Sequence, residues 1–240
     1  MKAAQNGRVI MEKNEFDQLL GYHLPNWKPK KRPSLQTFHG RTCKIEPLTI
    51  QKHARALFTV LGGPEHKSSW TYLPYGPFHT YQEFESWLLA LLGMADTLPY
   101  VIVENTHGAL GICAFARINP EHGSIEIAHL NYSAKLKRSA AATEAMYLMM
   151  HHAFNDLAYR RYEWKCNALN EDSRRAALRL GFAFEGIFRH SNVYKDRNRD
   201  TAWFSILDTE WPHIQERFLR WLNPANFHDD GSQKKRFRDV

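Results

Sequence analysis

The sequence predicts an α+β protein: a mixed α/β sheet, mostly antiparallel, with one parallel crossover and helices on both faces. Three observations predict it. Strand-like and helical runs follow one another in the order β-α-α-β-β-β-α-β-α-β-β-α. Three strands between Pro99 and Tyr132 are separated only by short turn signals, Thr106-His-Gly108 and Asn119-Pro-Glu-His-Gly123, which suit antiparallel hairpins. The third of them, the longest helical pattern and a further strand then make a crossover, so the two flanking strands are expected to be parallel neighbours.

The elements justify themselves in order. Residues 1–39 are polar, and LPNWKPKKRPS (Leu24–Ser34) carries prolines that remove donors and disfavour helix, so an extended arm is expected. RTCKIEPL (Arg41–Leu48) alternates as a strand. Ile50–Leu61 has helical spacing through Ala54, Leu57, Phe58 and Leu61, and Gly62-Gly-Pro64 stops it. WTYLPYGPF (Trp70–Phe78) reads as an ordered irregular loop. Tyr81–Met94 resumes a helix with Phe84, Trp87, Leu88 and Leu91 on one face and Thr80 as its N-cap. The strands Pro99–Asn105, Gly108–Ile118 and Gly123–Tyr132 follow. Ser139–Leu157 is the longest helix, striped by Ala142, Ala145, Met146, Met149, Ala153 and Phe154.

Tyr159–Asn167 is a strand. Asn170–Phe182 is a helix capped by Asn170 or Asp172 and ended by Gly181. Phe182–His190 and Asp200–Leu207 are strands joined by a polar loop, and Trp211–Leu222 closes as a helix. One domain over residues 40–225 is expected, with an N-terminal arm (1–39) and a solvated basic tail (226–240).

Composition narrows the setting. At 240 residues, 43% of them hydrophobic, the chain is long enough to bury a core unaided. Cys43, Cys113 and Cys166 are odd in number and form no C-x-x-C, which argues against a disulfide framework or a zinc site. No metal is expected. No apolar run approaches the ~18 residues of a membrane span, so a cytoplasmic protein without a membrane partner is expected. The net charge of +7 admits nucleic acid, a ribosome or an anionic ligand, although KPKKRP (Lys28–Pro33) and KKRFRD (Lys234–Asp239) near the termini read as solvated charge.

One run resists the bland reading. KLKRSAAATEAM (Lys135–Met146) places cations at a helix start, where the dipole disfavours them. An anionic ligand would reconcile the two.

Ser124-Ile-Glu-Ile-Ala-His129, KRSAAATEAM and Asn170-Glu-Asp-Ser173, followed by Gly181-Phe-Ala-Phe-Glu-Gly186, resemble the GNAT superfamily of acyl-CoA-dependent N-acyltransferases. Within it the chain resembles the RimJ/RimL type, which acetylates protein N-terminal amines and some small amines. The resemblance spans about Gly40 to Asp208 and implies the GNAT acyl-CoA N-acyltransferase fold. It implies acetyl-CoA as co-substrate, with a primary amine, either a peptide N-terminus or a small amine, as acceptor. A ribosomal protein is one such acceptor, and a homodimer is admitted.

The family's phosphate turn is Q/R-x-x-G-x-G/A, and Lys137-Arg138-Ser139-Ala140-Ala141-Ala142 stands in its place, with Ala140 where the first glycine belongs. Alanine resists a positive φ, so this departure is expected to weaken cofactor binding. The resemblance also brings Leu130, Asn131 and Tyr132, ahead of the turn, and Asn170 and Ser173 to the cofactor. Asn170 and Ser173 read equally as a helix cap.

Acetyl transfer needs a neutral amine, and an α-amine has a pKa near 7.7–8.0, so a base is required. Glu126 is the first candidate, eleven residues before Lys137, the offset of the catalytic glutamate in the histone-acetyltransferase branch. It reads equally as a strand glutamate paired with an arginine of an adjacent strand. His129 has a suitable intrinsic pKa, and strand alternation places it on the opposite face from Glu126. Some RimJ/RimL-type enzymes carry a glutamate where this chain has Asn192. Tyr194 and Ser173 are candidate acids for the leaving thiolate. Trp70, Tyr72, Tyr75 and Phe78 are candidates for the acceptor wall, where the family places this loop. Two competing functions remain: a basic ribosome- or RNA-associated binding protein, and a GNAT-fold acyl-CoA binder without catalysis.

Overall fold

The computed structural model describes residues 12–240. One eight-stranded sheet organises the chain, in the order β1-β2-β3-β4-β5-β6-β8-β7. The strands are β1 (Phe38–His39), β2 (Cys43–Pro47), β3 (Thr97–Glu104), β4 (Gly108–Asn119), β5 (Ser124–Tyr132), β6 (Arg161–Asn167), β7 (Ala183–Tyr194) and β8 (Arg197–Leu207). Every pairing is antiparallel except β5 with β6, the predicted crossover.

Helices cover the two faces unequally. α1 (Ile50–Leu61) and α2 (Tyr81–Leu92) bury Leu57, Leu61, Phe84, Leu88 and Leu91 with Trp70, Val101 and Ile112. Thr80 and Glu83 form a capping box at the start of α2. α3 (Ala140–His151), α4 (Glu171–Leu180) and α5 (Trp211–Leu222) cover the other face through Met146, Met149, Ala177, Ile214 and Phe218. The half of the sheet made by β5–β8 is therefore not covered by α1 and α2, and that face is where polar residues gather.

Three expectations change. The helix predicted to reach Leu157 leaves α-geometry after His151 and continues as a π-turn over His152–Asp156. His152 there is buried, with Nδ1 2.8 Å from the Asp156 carboxylate and its ring 3.2 Å from the Gln36 amide. The polar loop expected between the last two strands is not a loop. β7 and β8 run through it to a tight turn at Lys195–Asp196, both with positive φ (50° and 57°), as a type I′ hairpin requires.

The C-terminal tail expected in solvent folds back. Phe237 is buried between α4 and α5, with the guanidinium groups of Arg179 and Arg217 4.8 and 4.9 Å from its ring centre. The described part of the N-terminal arm also docks. The Trp27 indole donates to Glu121 O at 2.9 Å, and Ser34 O accepts from the Tyr100 phenol at 3.3 Å.

Candidate active site

The site begins where β5 and β6 part. Their parallel pairing runs from Ser124↔Arg161 to Ile127↔Trp164 and stops, although both strands continue to Tyr132 and Asn167. β5 stays on β4 and β6 stays on β8, so a cleft opens between them. Strand edges that face a gap leave unpaired backbone groups for a ligand to satisfy.

A bulge sits on β5 at the opening. Ala128 opposes Ala114 and Asn131 opposes Ile112, so three residues of β5 span two of β4. His129 takes φ 52° there. The extra residue breaks strand alternation. Glu126 opposes Ala116 and shares the face of Ile112 and Ala114, and His129 meets Tyr75 on that face, its Nδ1 2.8 Å from the Tyr75 hydroxyl. The expectation that His129 and Glu126 point to opposite faces is thus overturned. Burial, then the nearby Arg117 charge, lowers the His129 pKa to about 4. The imidazole is therefore neutral at physiological pH.

Glu126 is 3% exposed. Its Oε2 accepts from Arg117 at 2.7 Å and lies 2.9 Å from Lys165 Nζ. Oε1 has no hydrogen-bond partner among the described residues. The pairing extends along the sheet: Lys165 also meets Glu163 at 2.7 Å, and Arg161 meets Glu163 and Glu185 at 2.6 and 2.5 Å. Lys165 Nζ lies 3.8 Å from the centre of the Trp203 ring.

Beyond the cleft mouth stands the basic turn. Leu136 is fully buried and packs on Gly111, where a Cβ would come within 2.6 Å of it. This anchor leaves Lys135, Lys137 and Arg138 exposed. Ser139 caps α3 by accepting from Ala142 N at 3.0 Å. The N–H groups of Ala140 and Ala141 have no hydrogen-bond partner among the described residues. The residue with positive φ is Arg138 (62°), and Ala140 is already helical. The missing glycine therefore does not strain the turn where the sequence suggested.

This donor set suits a pyrophosphate: free helix N-terminal amides, small side chains beside them and three exposed cations. The profile of the acetyltransferase (GNAT) domain matches residues 44–183. The chain belongs to the GNAT acetyltransferase family. A crystal structure of a GCN5-related N-acetyltransferase from Brucella melitensis is 44% identical, covers 90% of this chain and 100% of its own, and superposes with a TM-score of 0.87. An uncharacterized N-acetyltransferase p20 of Bacillus licheniformis is 31% identical over 51% of this chain and 68% of its own length. A ribosomal-protein-serine acetyltransferase of Escherichia coli is 26% identical over 42% of this chain, and the match spans 56% of that relative.

The other residues singled out from the acetyltransferase's sequence divide. Leu130, Asn131 and Tyr132 end β5 beside the cleft. Asn170 caps α4 by accepting from Ser173 N at 3.1 Å, and Ser173 Oγ accepts from the Trp164 indole at 3.0 Å. Trp164 belongs to the core on the α3 face, so both side chains carry structural bonds on that side of the sheet. Tyr194 lies on the other side of the cleft, its hydroxyl accepting from Asn167 Nδ2 at 2.7 Å.

Trp70 is a correction: it is 0% exposed, donates to Leu61 O at 2.7 Å and forms part of the core, so it cannot line an acceptor wall. Gly76 turns beneath it with φ 63°, where a Cβ would lie 2.8 Å from the indole. Phe78 stacks against Trp87 and is half-buried in the same cluster. Of the four aromatics, Tyr75 reaches His129, and Tyr72 stays half-exposed. The arginine partner that the sequence reading allowed for Glu126 is Arg117 of β4, while Lys165 and Asn167 were missed. Their signal was period-2 alternation: Glu163, Lys165 and Asn167 are polar against Tyr162, Trp164 and Cys166.

Proposed function

We propose that the acetyltransferase moves an acetyl group from acetyl-CoA to a primary amine by direct attack while both substrates are bound. The observation that carries this reading is the parting of β5 from β6 after Ile127 and Trp164, beside the free N-terminus of α3. Acetyl-CoA, when bound, supplies a thioester carbonyl open to amine attack and a sulfur that departs as thiolate.

The chain's residues divide the remaining work. Ala140 and Ala141 N–H with Lys137 and Arg138 hold phosphate. The edge of β5 at Leu130–Tyr132 offers backbone groups along the cleft. Glu126 takes the amine proton on Oε1, directly or through water, while Arg117 and Lys165 fix Oε2. Tyr194 accepts from Asn167 and so keeps its own O–H proton to give to the leaving sulfur. Holding both substrates in register supplies much of the acceleration.

The basic arm and tail that motivated an RNA-binding reading are docked on the domain through Trp27 and Phe237, which favours a structural use for them. Calorimetry with acetyl-CoA, then mass spectrometry of amines and peptides incubated with it, tests the proposal. Saturable binding and an acetylated product are expected; no binding at millimolar acetyl-CoA overturns it. Glu126→Gln is expected to lower kcat at least a hundredfold with acetyl-CoA affinity intact. Unchanged kcat would remove Glu126 from the chemistry.

A further inference from the structure

Glu163 stands beside Glu126 and has no part in the chemistry above. Parallel register sets it directly against Glu126 on the neighbouring strand, and alternation puts Arg161, Glu163 and Lys165 of β6 on one face. The two carboxylates share one ammonium. Lys165 Nζ lies 2.9 Å from Glu126 Oε2 and 2.7 Å from Glu163 Oε2, with the Trp203 ring beneath it. Glu163 gives its other oxygen to Arg161 Nε at 2.6 Å, and the same guanidinium grips Glu185 with both terminal nitrogens. A row of alternating charge thus crosses the sheet from Arg117 on β4 to Glu185 on β7.

Burial decides which links of the row matter. The Lys165 side chain is 7% exposed and that of Glu163 14%, whereas Arg117 is 62% exposed, so water screens the Arg117 pair far more than the inner ones. One buried ammonium cannot neutralise two carboxylates. Burial raises the Glu163 carboxyl, but the hydrogen bonds from Arg161 and Lys165 outweigh it and hold it below the ordinary carboxylate range. Glu163 is therefore ionised at neutral pH and competes with Glu126 for Lys165. His129 of β5, Tyr75 from the loop before α2 and Arg199 of β8 are the other titratable or charged groups along the cleft, and none of them bonds to Glu163 or Lys165 among the described residues.

Resting on the reading of Glu126 as the base, we propose that Glu163 is a positioning residue for acetyl transfer: it holds Lys165 on the β6 side and takes part of its charge, which keeps Lys165 from quenching the base. Arg161 works in the opposite sense, because it neutralises Glu163. The two signs follow from the charges. Without the Glu163 charge, Lys165 turns wholly to Glu126, and the carboxylate holds a proton less well. Without the Arg161 charge, Glu163 pulls harder on Lys165, and Glu126 holds a proton better. Charges on adjacent strands are close enough for each change to move the Glu126 titration by at least about half a pH unit.

Carbon-13 NMR titration of the carboxyl carbons, with Glu126 assigned through Glu126→Gln, reads this in the protein alone. Glu163→Gln is expected to move the Glu126 midpoint down in pH and Arg161→Gln to move it up, each by at least about half a unit, with Glu163→Asp between wild type and Glu163→Gln. In turnover of acetyl-CoA with spermidine or an alanyl tetrapeptide, the acid limb of kcat should move in the same two directions. Plateau kcat of Glu163→Gln should fall severalfold, and acetyl-CoA affinity by calorimetry should hold. An unmoved Glu126 midpoint, or shifts of one sign in both variants, overturns the inference, since a merely structural role gives no opposed pair. Should Glu163→Gln fail to fold, Arg161→Gln at the more exposed end of the row decides: an upward shift supports the inference and none sinks it. If neither amine is acetylated, the midpoints decide alone. Unchanged kcat in Glu126→Gln would sink the base assignment and the positioning role with it, a failure distinct from unmoved midpoints.

Discussion

The hydroxyl of Tyr75 and Nδ1 of His129 are 2.8 Å apart, and their rings are nearly parallel, at 11°. The contact joins the loop before α2 to the bulge of β5. It also has a pH signature. The folded pKa of His129, about 4, lies below its ordinary value of 6.5. Between those values the unfolded chain binds a proton that the folded chain refuses, so stability falls as pH drops from about 6.5 to 4. Chemical denaturation at pH 7 and pH 5 should show a loss on the order of 1 kcal/mol from this group. His129→Asn, which tolerates the positive φ, should flatten that dependence. An identical pH dependence in the variant would contradict it.

Ala140 is the first helical residue of α3, and the left-handed position is Arg138. Ala140→Gly should therefore not tighten acetyl-CoA binding, and it should cost up to about 1 kcal/mol of stability. Arg138→Gly should relieve backbone strain and raise the melting temperature while weakening acetyl-CoA binding by loss of a charge. Calorimetry and thermal melting read both. Tighter binding by Ala140→Gly would show that the turn geometry is wrong.

Trp70 fills the core under α1 and α2, with Phe78, Phe84 and Trp87 edge-on around it. Trp70→Ala should cost about 3–5 kcal/mol, measured by denaturant unfolding. Trp70→Phe should retain acceptor KM within about twofold once folded, since the side chain does not reach the cleft. A large KM change in the folded Phe variant would return Trp70 to the acceptor wall.

Phe237 makes the tail part of the domain. Phe237→Ala should cost about 3 kcal/mol and expose the tail to proteolysis between Phe227 and Phe237. A wild-type melting temperature in this variant would mean that the tail is solvated after all.

Much of this was legible in the chain. Apolar period set the helices, turn residues set the hairpins, and the single long helix between two strands set the one parallel pair. Local pattern carries such information because each element answers to its own backbone and to one buried face. The run Lys135–Met146 likewise showed its cations at a helix start, the feature on which the proposed phosphate contact rests. Tertiary structure alone decided which of the named side chains meet. One extra residue in β5 turned His129 onto the Glu126 face, and no periodicity reveals an insertion of one. Trp70 and Tyr75 lie five residues apart in one aromatic loop, yet one is core and the other reaches the cleft. Glu126 acquired Arg117 and Lys165 from the strands on either side, because a sheet brings charges together by register, and register is a property of pairs of strands rather than of either one.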